Sequence, residues 1–308
     1  MLKQIATRAT NDRDVRNGRI LSTLGVVLCT AAGIVVGAFF GGQSWLPTEI
    51  SIALFIGAVV AGMYGAEACF QLYGWFEQRQ RDIIAAGVWR ALKGGNPPPH
   101  PFTLYLRPFA STDHIGTEVH TTIRMRPVAS GPITLAMGSD RLEFEAEVER
   151  ALRPIGPLVA LGAPLEHKGA GRILVSDDEW RDAVERLMHY ASLIVLLPSS
   201  RPGTTWEVKT LLSEGRLGKT IVVDPPDDLG QDTPEYDPSS EWREVRSAFA
   251  AHGFELPPDD PQGLLLYFGD QSQPLRKTQI SLDGAASVKA FADQVLNDMQ
   301  TLSRRRTV

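Results

Sequence analysis

The stretch Pro198-Ser-Ser-Arg-Pro-Gly-Thr-Thr-Trp-Glu207 leaves an apolar run and opens a helical one, and it holds the carboxylate best placed for chemistry in this 308-residue chain. A carboxylate there can stabilise an oxocarbenium-like sugar carbon, by charge or by covalent capture, as nucleophilic carboxylates do in retaining glycosidases. The same spacing, Thr204-x-x-Glu207, is also a capping box, in which Glu207 would accept the backbone N–H of the cap residue. Both readings are open at this level. Ser176-Asp-Asp-Glu179 repeats the spacing and is read as a cap. Other chemistries find less support. His100, His114, His120, His167, His189 and His252 show no HExxH or paired ligand spacing, there is no Walker lysine motif and no GxGxxG after a strand, and Ser199 and Ser200 lack the GxSxG elbow. Cys29 and Cys69 both lie in or beside apolar runs, which leaves no CxxC site downstream. No metal and no resident cofactor is expected.

The elements that would hold Glu207 alternate. Strand-like runs at 102–109, 157–161, 172–175, 192–197 and 219–223 are separated by helical patterns at 142–152, 177–190 and 205–214. Near-continuous apolar strands of this kind belong to parallel sheets covered on both faces, so a three-layer α/β domain is expected. A helix at 240–252, a strand at 264–268 and a last helix at 284–302 follow, and residues 114–140 alternate like an inserted hairpin. In such sheets ligands bind beyond the carboxyl ends of the strands, which nominates 107–113, 162–171, 198–207 and 224–228.

Ahead of this domain, residues 20–48 carry no charge and, after Glu49, neither do residues 50–66. About 20 apolar residues span a bilayer core, so two transmembrane helices are expected within 20–76, following a segment 1–19. Lys3, Arg8, Arg13, Arg16 and Arg19 precede the first, Arg79, Arg81, Arg90 and Lys93 follow the second, and the connector has no basic residue. Both termini are therefore expected in the cytoplasm, with the chain in the inner (cytoplasmic) membrane. Gly33, Gly37 and Gly41, and Gly57, Ala61 and Gly65, permit close helix packing within the hairpin or between chains. Glu67 is the sole ionisable group in the second run, in a functional role or at headgroup depth. Residues 77–92 read as a helical stalk stopped by the Gly/Pro cluster at 94–99, which marks the boundary of the domain 100–308. That domain has twenty-two Lys/Arg against thirty Asp/Glu, which disfavours nucleic acid as a partner and predicts repulsion from anionic lipid.

The order of strand, Ser-rich loop, Trp-Glu at a helix start, and Gly218-Lys219 before the next strand resembles the TIR (Toll/interleukin-1 receptor) domain and the related nucleoside deoxyribosyltransferases. The likeness covers about 102–226. It implies a flavodoxin-like parallel sheet, with Glu207 acting at an N-glycosidic bond. Leu104-Tyr-Leu-Arg-Pro-Phe109 with Asp113 is similar to the first strand and loop that hold a base or ribose, and 162–171 to the loop of TIR self-association. Arg107, Phe109, Asp113, Ser199 and Trp206 are accordingly the expected substrate-binding residues: Arg107 on a phosphate, Phe109 or Trp206 stacked on a base. Glu207 directly follows Trp206, closer than in TIR enzymes. The resemblance implies cleavage of NAD or a related nucleotide on clustering, in bacterial defence or stress signalling, with NAD as substrate rather than cofactor. The alternatives are a non-catalytic assembly module of the same fold and deoxyribosyl transfer between bases.

Overall fold

The computed structural model describes residues 12–41, 47–107, 144–165, 169–197, 199–224, 238–261, 263–268 and 276–279, with positions 274, 293 and 297. Phe109, Asp113, the expected hairpin at 114–140 and most of the expected helix at 284–302 lie outside them.

Helix α1 (Asp12–Gly41) and helix α2 (Thr48–Lys93) are both long and apolar enough to cross a membrane. Their apolar side chains face outward: Leu21, Val27, Leu28, Val35, Phe39, Ile52, Ile56 and Phe70 are all more than half exposed. Such a surface is stable in lipid, and the pair is a candidate membrane hairpin. The helices cross at Gly33 and Gly62, where a Cβ on either glycine would come within about 3 Å of the other's Cα. Of the small residues expected to pack, Gly33, Gly37 and Gly65 meet the opposite helix, whereas Gly57 has open space around it and Ala61 is exposed. Glu67 accepts a bond from Gln71 on its own helix at 3.0 Å.

Helix α2 runs about 69 Å without interruption. Its last turns are helical, as expected of a stalk, but they are packed into the α/β domain: Ala85, Val88 and Leu92 are core residues. Gly171 permits this, since a Cβ there would fall 2.3 Å from the Arg81 carbonyl oxygen. The helix stops at Gly94, whose N–H bonds Arg90 O at 3.1 Å, while Gly95 N–H bonds Leu92 O at 3.1 Å.

Among the described residues, seven strands form one sheet in the order β3-β2-β1-β4-β5-β6-β7: β1 (Thr103–Leu106), β2 (Leu158–Leu161), β3 (Gly171–Ile173), β4 (Leu193–Leu196), β5 (Thr220–Asp224), β6 (Leu264–Tyr267) and β7 (Arg276–Gln279). The first five are mutually parallel, with Leu104 level with both Val159 and Ile194. Strand β6 runs antiparallel to both its neighbours, β5 and β7, which corrects the expectation of an all-parallel sheet. The reason lies after helix α6 (Pro238–Ala250). Residues 254–260 double back along it, pinned by Trp242 Nε1 to Pro257 O at 3.0 Å and Arg246 Nε to Leu256 O at 3.2 Å. The chain therefore re-enters the sheet from the carboxyl edge, with Leu264 level with Asp224. Strand β7 was not foreseen.

Alternation along the strands divides the core. Leu104, Leu106, Ile194, Leu196, Val222 and Leu266 face a layer made by α2, α4 (Trp180–Tyr190), α5 (Pro202–Ser213) and α6. Tyr105, Val195, Ile221 and Leu265 face the other side, where α3 (Phe144–Leu152) contributes Val148 and Leu152. Strand order reverses between β1 and β4, the switch point at which open α/β sheets bind ligands.

Candidate functional site

Helix α5 starts three residues earlier than its motif suggests. Arg201 is extended at φ −63°, ψ 143°, Pro202 takes the first helical position, and Thr205 N bonds to Arg201 O at 2.9 Å. Proline suits that position because its missing N–H would have no helical partner there. Glu207 thus falls in the second turn, beyond the amides a cap serves, and no side chain caps this helix. The capping-box reading of Thr204 and Glu207 is overturned. It fails at Glu179 too: Ser176–Glu179 forms a turn closed by Glu179 N to Ser176 O at 3.1 Å, α4 starts at Trp180 with no side-chain cap, and the Glu179 carboxylate pairs with Lys93 at 3.1 Å.

What remains for Glu207 is a carboxyl group on the buried face of α5, beside Thr204, Val208 and Leu211, itself only 3% exposed. Its Oε2 has no hydrogen-bond partner. Burial pushes its pKa up to about 8, so the group is mostly protonated at neutral pH. Leaving a buried polar atom unpaired costs roughly 1–3 kcal/mol, and perturbed carboxyls of this kind concentrate at functional sites.

The turn before α5 is held from α6, where the Glu241 carboxylate accepts the Ser200 N–H. Ser199 is buried, its hydroxyl accepting Arg201 N–H at 3.3 Å, and Thr205 Oγ1 donates to Ser200 O at 3.3 Å. Asp224, at the end of β5, is buried and accepts Asp260 N–H at 3.4 Å. Sequence reasoning missed Glu241, because it is 41 residues from the turn it holds. Trp206 is half-buried, edge-on to Trp180 at 4.9 Å between ring centroids, with the Arg181 guanidinium 5.5 Å and 5.6 Å from the two rings.

Arg107 lies elsewhere. It follows β1 on the opposite face of the sheet and pairs with Glu145 of α3 at 3.4 Å. Arg172 of β3, wholly buried, donates to the other oxygen of that carboxylate at 2.6 Å, and Ala170 N–H joins it at 2.7 Å. Burial alone would raise the Glu145 pKa, but Arg172 and then Arg107 overcome it and hold the carboxyl below its ordinary range. Arg107 therefore has its carboxylate within the chain, in the layer opposite Glu207. Phe109 and Asp113 fall outside the described residues. Lys219 stands at the amino edge, before β5, donating to Ala191 O at 2.8 Å and His189 O at 3.1 Å. Burial, then Arg216, lowers its pKa to about 8, with Glu214 opposing. The Gly218-Lys219 part of the motif thus ties off α4, far from the carboxyl edge. Among the described residues no three His, Cys, Asp or Glu are grouped to hold a metal ion.

Successive residues of α2 meet the domain in order: Phe76 touches Leu165, Gln78 bonds Ala170, Asp82 bonds Arg172, Arg186 reaches Leu92 O, and Lys93 meets Glu179 after β3. The carboxyl edge, with Glu207, consequently points away from the apolar part of the hairpin.

Fold and site together define a class: an α/β domain with a mixed sheet, preceded by two candidate membrane-spanning helices. No family model matches the chain, and neither does any curated protein. Among solved structures it is similar to eIF2B beta from Chaetomium thermophilum, at 8% identity and a TM-score of 0.18, over 69% of this chain and 65% of that one. A likeness of that size carries no functional argument.

Proposed function

We propose that this chain is a membrane-anchored, TIR-like domain protein that cleaves the N-glycosidic bond of NAD or a related nucleotide, with both termini in the cytoplasm and a role in bacterial defence or stress signalling. The observation that carries the reading is Glu207: a buried carboxyl with an unpaired oxygen, on the helix that follows β4, at the ligand-binding edge of the sheet. Support also comes from the run of five parallel strands with its switch point at β1 and β4.

The chemistry asks for little else. Nicotinamide leaves NAD as a neutral base from a cationic ring, so no acid is needed to protonate it. A carboxylate stabilises the positive charge that develops on the ribose carbon, and water then takes the place of the base. Protonated Glu207 would ionise as the cationic ring arrives, since a positive charge within about 4–6 Å lowers a carboxyl pKa by about 1–3. Glu207→Gln keeps shape and removes charge. In detergent or nanodiscs the variant should release free nicotinamide from NAD at least about 100-fold more slowly than the wild type. Equal turnover in the two proteins discards the assignment.

A second reading, an assembly module without turnover, is favoured by the engagement of Arg107 with Glu145 and by the low exposure of Glu207. It expects no nicotinamide from either protein, with self-association unaffected by Glu207→Gln.

A further inference from the structure

The base of the hairpin is laced with arginine. Arg19, where α1 enters its apolar run, donates to Gln80 Oε1 at 2.6 Å and Tyr73 Oη at 2.8 Å and lies 3.6 Å from Glu77. Glu77 is 3.7 Å from Arg81, Arg81 reaches Glu149 of α3 at 3.1 Å, and Glu149 takes a two-pronged pair from Arg153 at 3.0 Å and 2.9 Å. This relay crosses from α1 over α2 to the end of α3. It sets Arg153 within electrostatic reach of Glu77 and Tyr73, where α2 leaves its apolar run. The bond to Glu149 first, then these neighbours, hold the guanidinium above its usual range against the opposing effect of burial. Even so, the Arg153 side chain is 54% exposed. Arg150, one position short of a turn away, is exposed, as are Arg13 and Arg16 on α1. Val15, between those two, packs on Phe76 and Leu165, which brings the start of α1 against the domain.

The domain as a whole is acidic, so this is a local reversal of sign at one height on the molecule. That height is where a bilayer containing the hairpin has its phosphates: four residues from Tyr73 to Glu77 advance about 6 Å along the axis. Basic side chains just beyond the apolar boundary attract anionic lipid, and guanidinium forks suit phosphate oxygens.

We propose that Arg150 of α3 and Arg153 in the turn after it, with Arg13 and Arg16 of α1, form a docking surface for the phosphates of anionic phospholipids, so that the α/β domain rests on the bilayer instead of swinging beyond it. The expected repulsion from anionic lipid follows from net charge, and the distribution of that charge reverses it on this side. The docked domain keeps its carboxyl edge turned to the aqueous phase. The proposal is independent of the role of Glu207.

The test uses the full chain in nanodiscs of phosphatidylcholine alone or with about 30% phosphatidylglycerol, reading amide hydrogen exchange over 149–155. Phosphatidylglycerol should slow exchange there about threefold or more at low salt, and about 0.5 M NaCl should remove the effect. Arg150→Gln/Arg153→Gln should remove it too, while exchange in β4 stays at the wild-type rate and reports an intact fold. Should that variant loosen β4, Arg13→Gln/Arg16→Gln, which leaves the Glu149 pairs intact, is read in its place and should weaken the lipid effect. Equal exchange in the two lipid compositions overturns the proposal, as does a lipid effect that survives these substitutions. Protection by inorganic phosphate in phosphatidylcholine discs would assign the arginines to a free anion and overturn it as well.

Discussion

Glu207 makes its own titration a readout of where it sits. In the folded chain it keeps its proton up to about pH 8, whereas in the unfolded chain it loses it near 4.5. The native state therefore binds the extra proton between those values, and stability should fall as pH rises through that window. The loss amounts to a few kcal/mol, with about 5 as an upper bound. Glu207→Gln should flatten that part of the profile and stabilise the protein above about pH 5, checked by denaturant unfolding in detergent at several pH values. Under the catalytic reading, kcat/KM for NAD should rise with pH toward a plateau above about 8, because the free enzyme must ionise Glu207. The profile of kcat should turn at lower pH, because the bound cationic ring favours the carboxylate. Trp206-Glu207 marked the residue as a candidate in the sequence. Its isolation was not visible there, because a Thr-x-x-Glu spacing looks the same in the first turn, where it caps, and in the second, where it cannot.

Among the elements, α2 does the most that sequence pattern left unseen. Gln78 takes Gly169 N–H at 2.8 Å and donates to Ala170 O at 2.8 Å, and Asp82 accepts Leu165 N–H and Arg172 N–H, each at 2.9 Å. Among the described residues the connection between β2 and β3 has no helix of its own to cover it, and α2 supplies the polar groups instead. Leu165, at φ 60°, is held in a left-handed conformation unusual for a leucine, buried against Val15 and Phe76. Asp82→Ala should lower stability by about 2–4 kcal/mol, since two buried amides lose a charged acceptor. Exchange at Leu165 and Arg172 should quicken before that of β4, which hydrogen-exchange mass spectrometry would resolve. If these amides keep their wild-type protection, the clamp is not what holds the connection. The apolar periodicity around 76–92 was legible. Its partner was not, because Gln78 and Asp82 bond residues more than eighty positions away.

On the scale of the molecule, α2, a candidate membrane span, and the sheet form one body. Residues 94–99 do interrupt the chain as their Gly and Pro content demands, yet Ala85, Val88 and Leu92 belong to the same core as Ile194 and Val222. A chain beginning at residue 100 would expose the edge of β3 and empty one side of that core, and should be insoluble or molten. A chain beginning at 74 should give a cooperative thermal transition, measured by circular dichroism. Cooperative folding of the shorter chain would show that α2 is dispensable. The same continuity aims the carboxyl edge away from the apolar part of the candidate membrane hairpin.

Composition and period alone determined the two apolar helices, the alternation of strands and helices, and the prominence of Glu207, because each is written in neighbours a few positions apart. Tertiary structure alone decided that β6 runs antiparallel to β5 and β7, that Arg107 pairs with Glu145 in the layer opposite Glu207, that Lys219 stands at the far edge, and that Arg19 of α1 and Arg153 after α3 lie at the two ends of one relay. These depend on which distant segments share a face, and side chains separated by tens of residues acquire their partners only when the sheet brings them together.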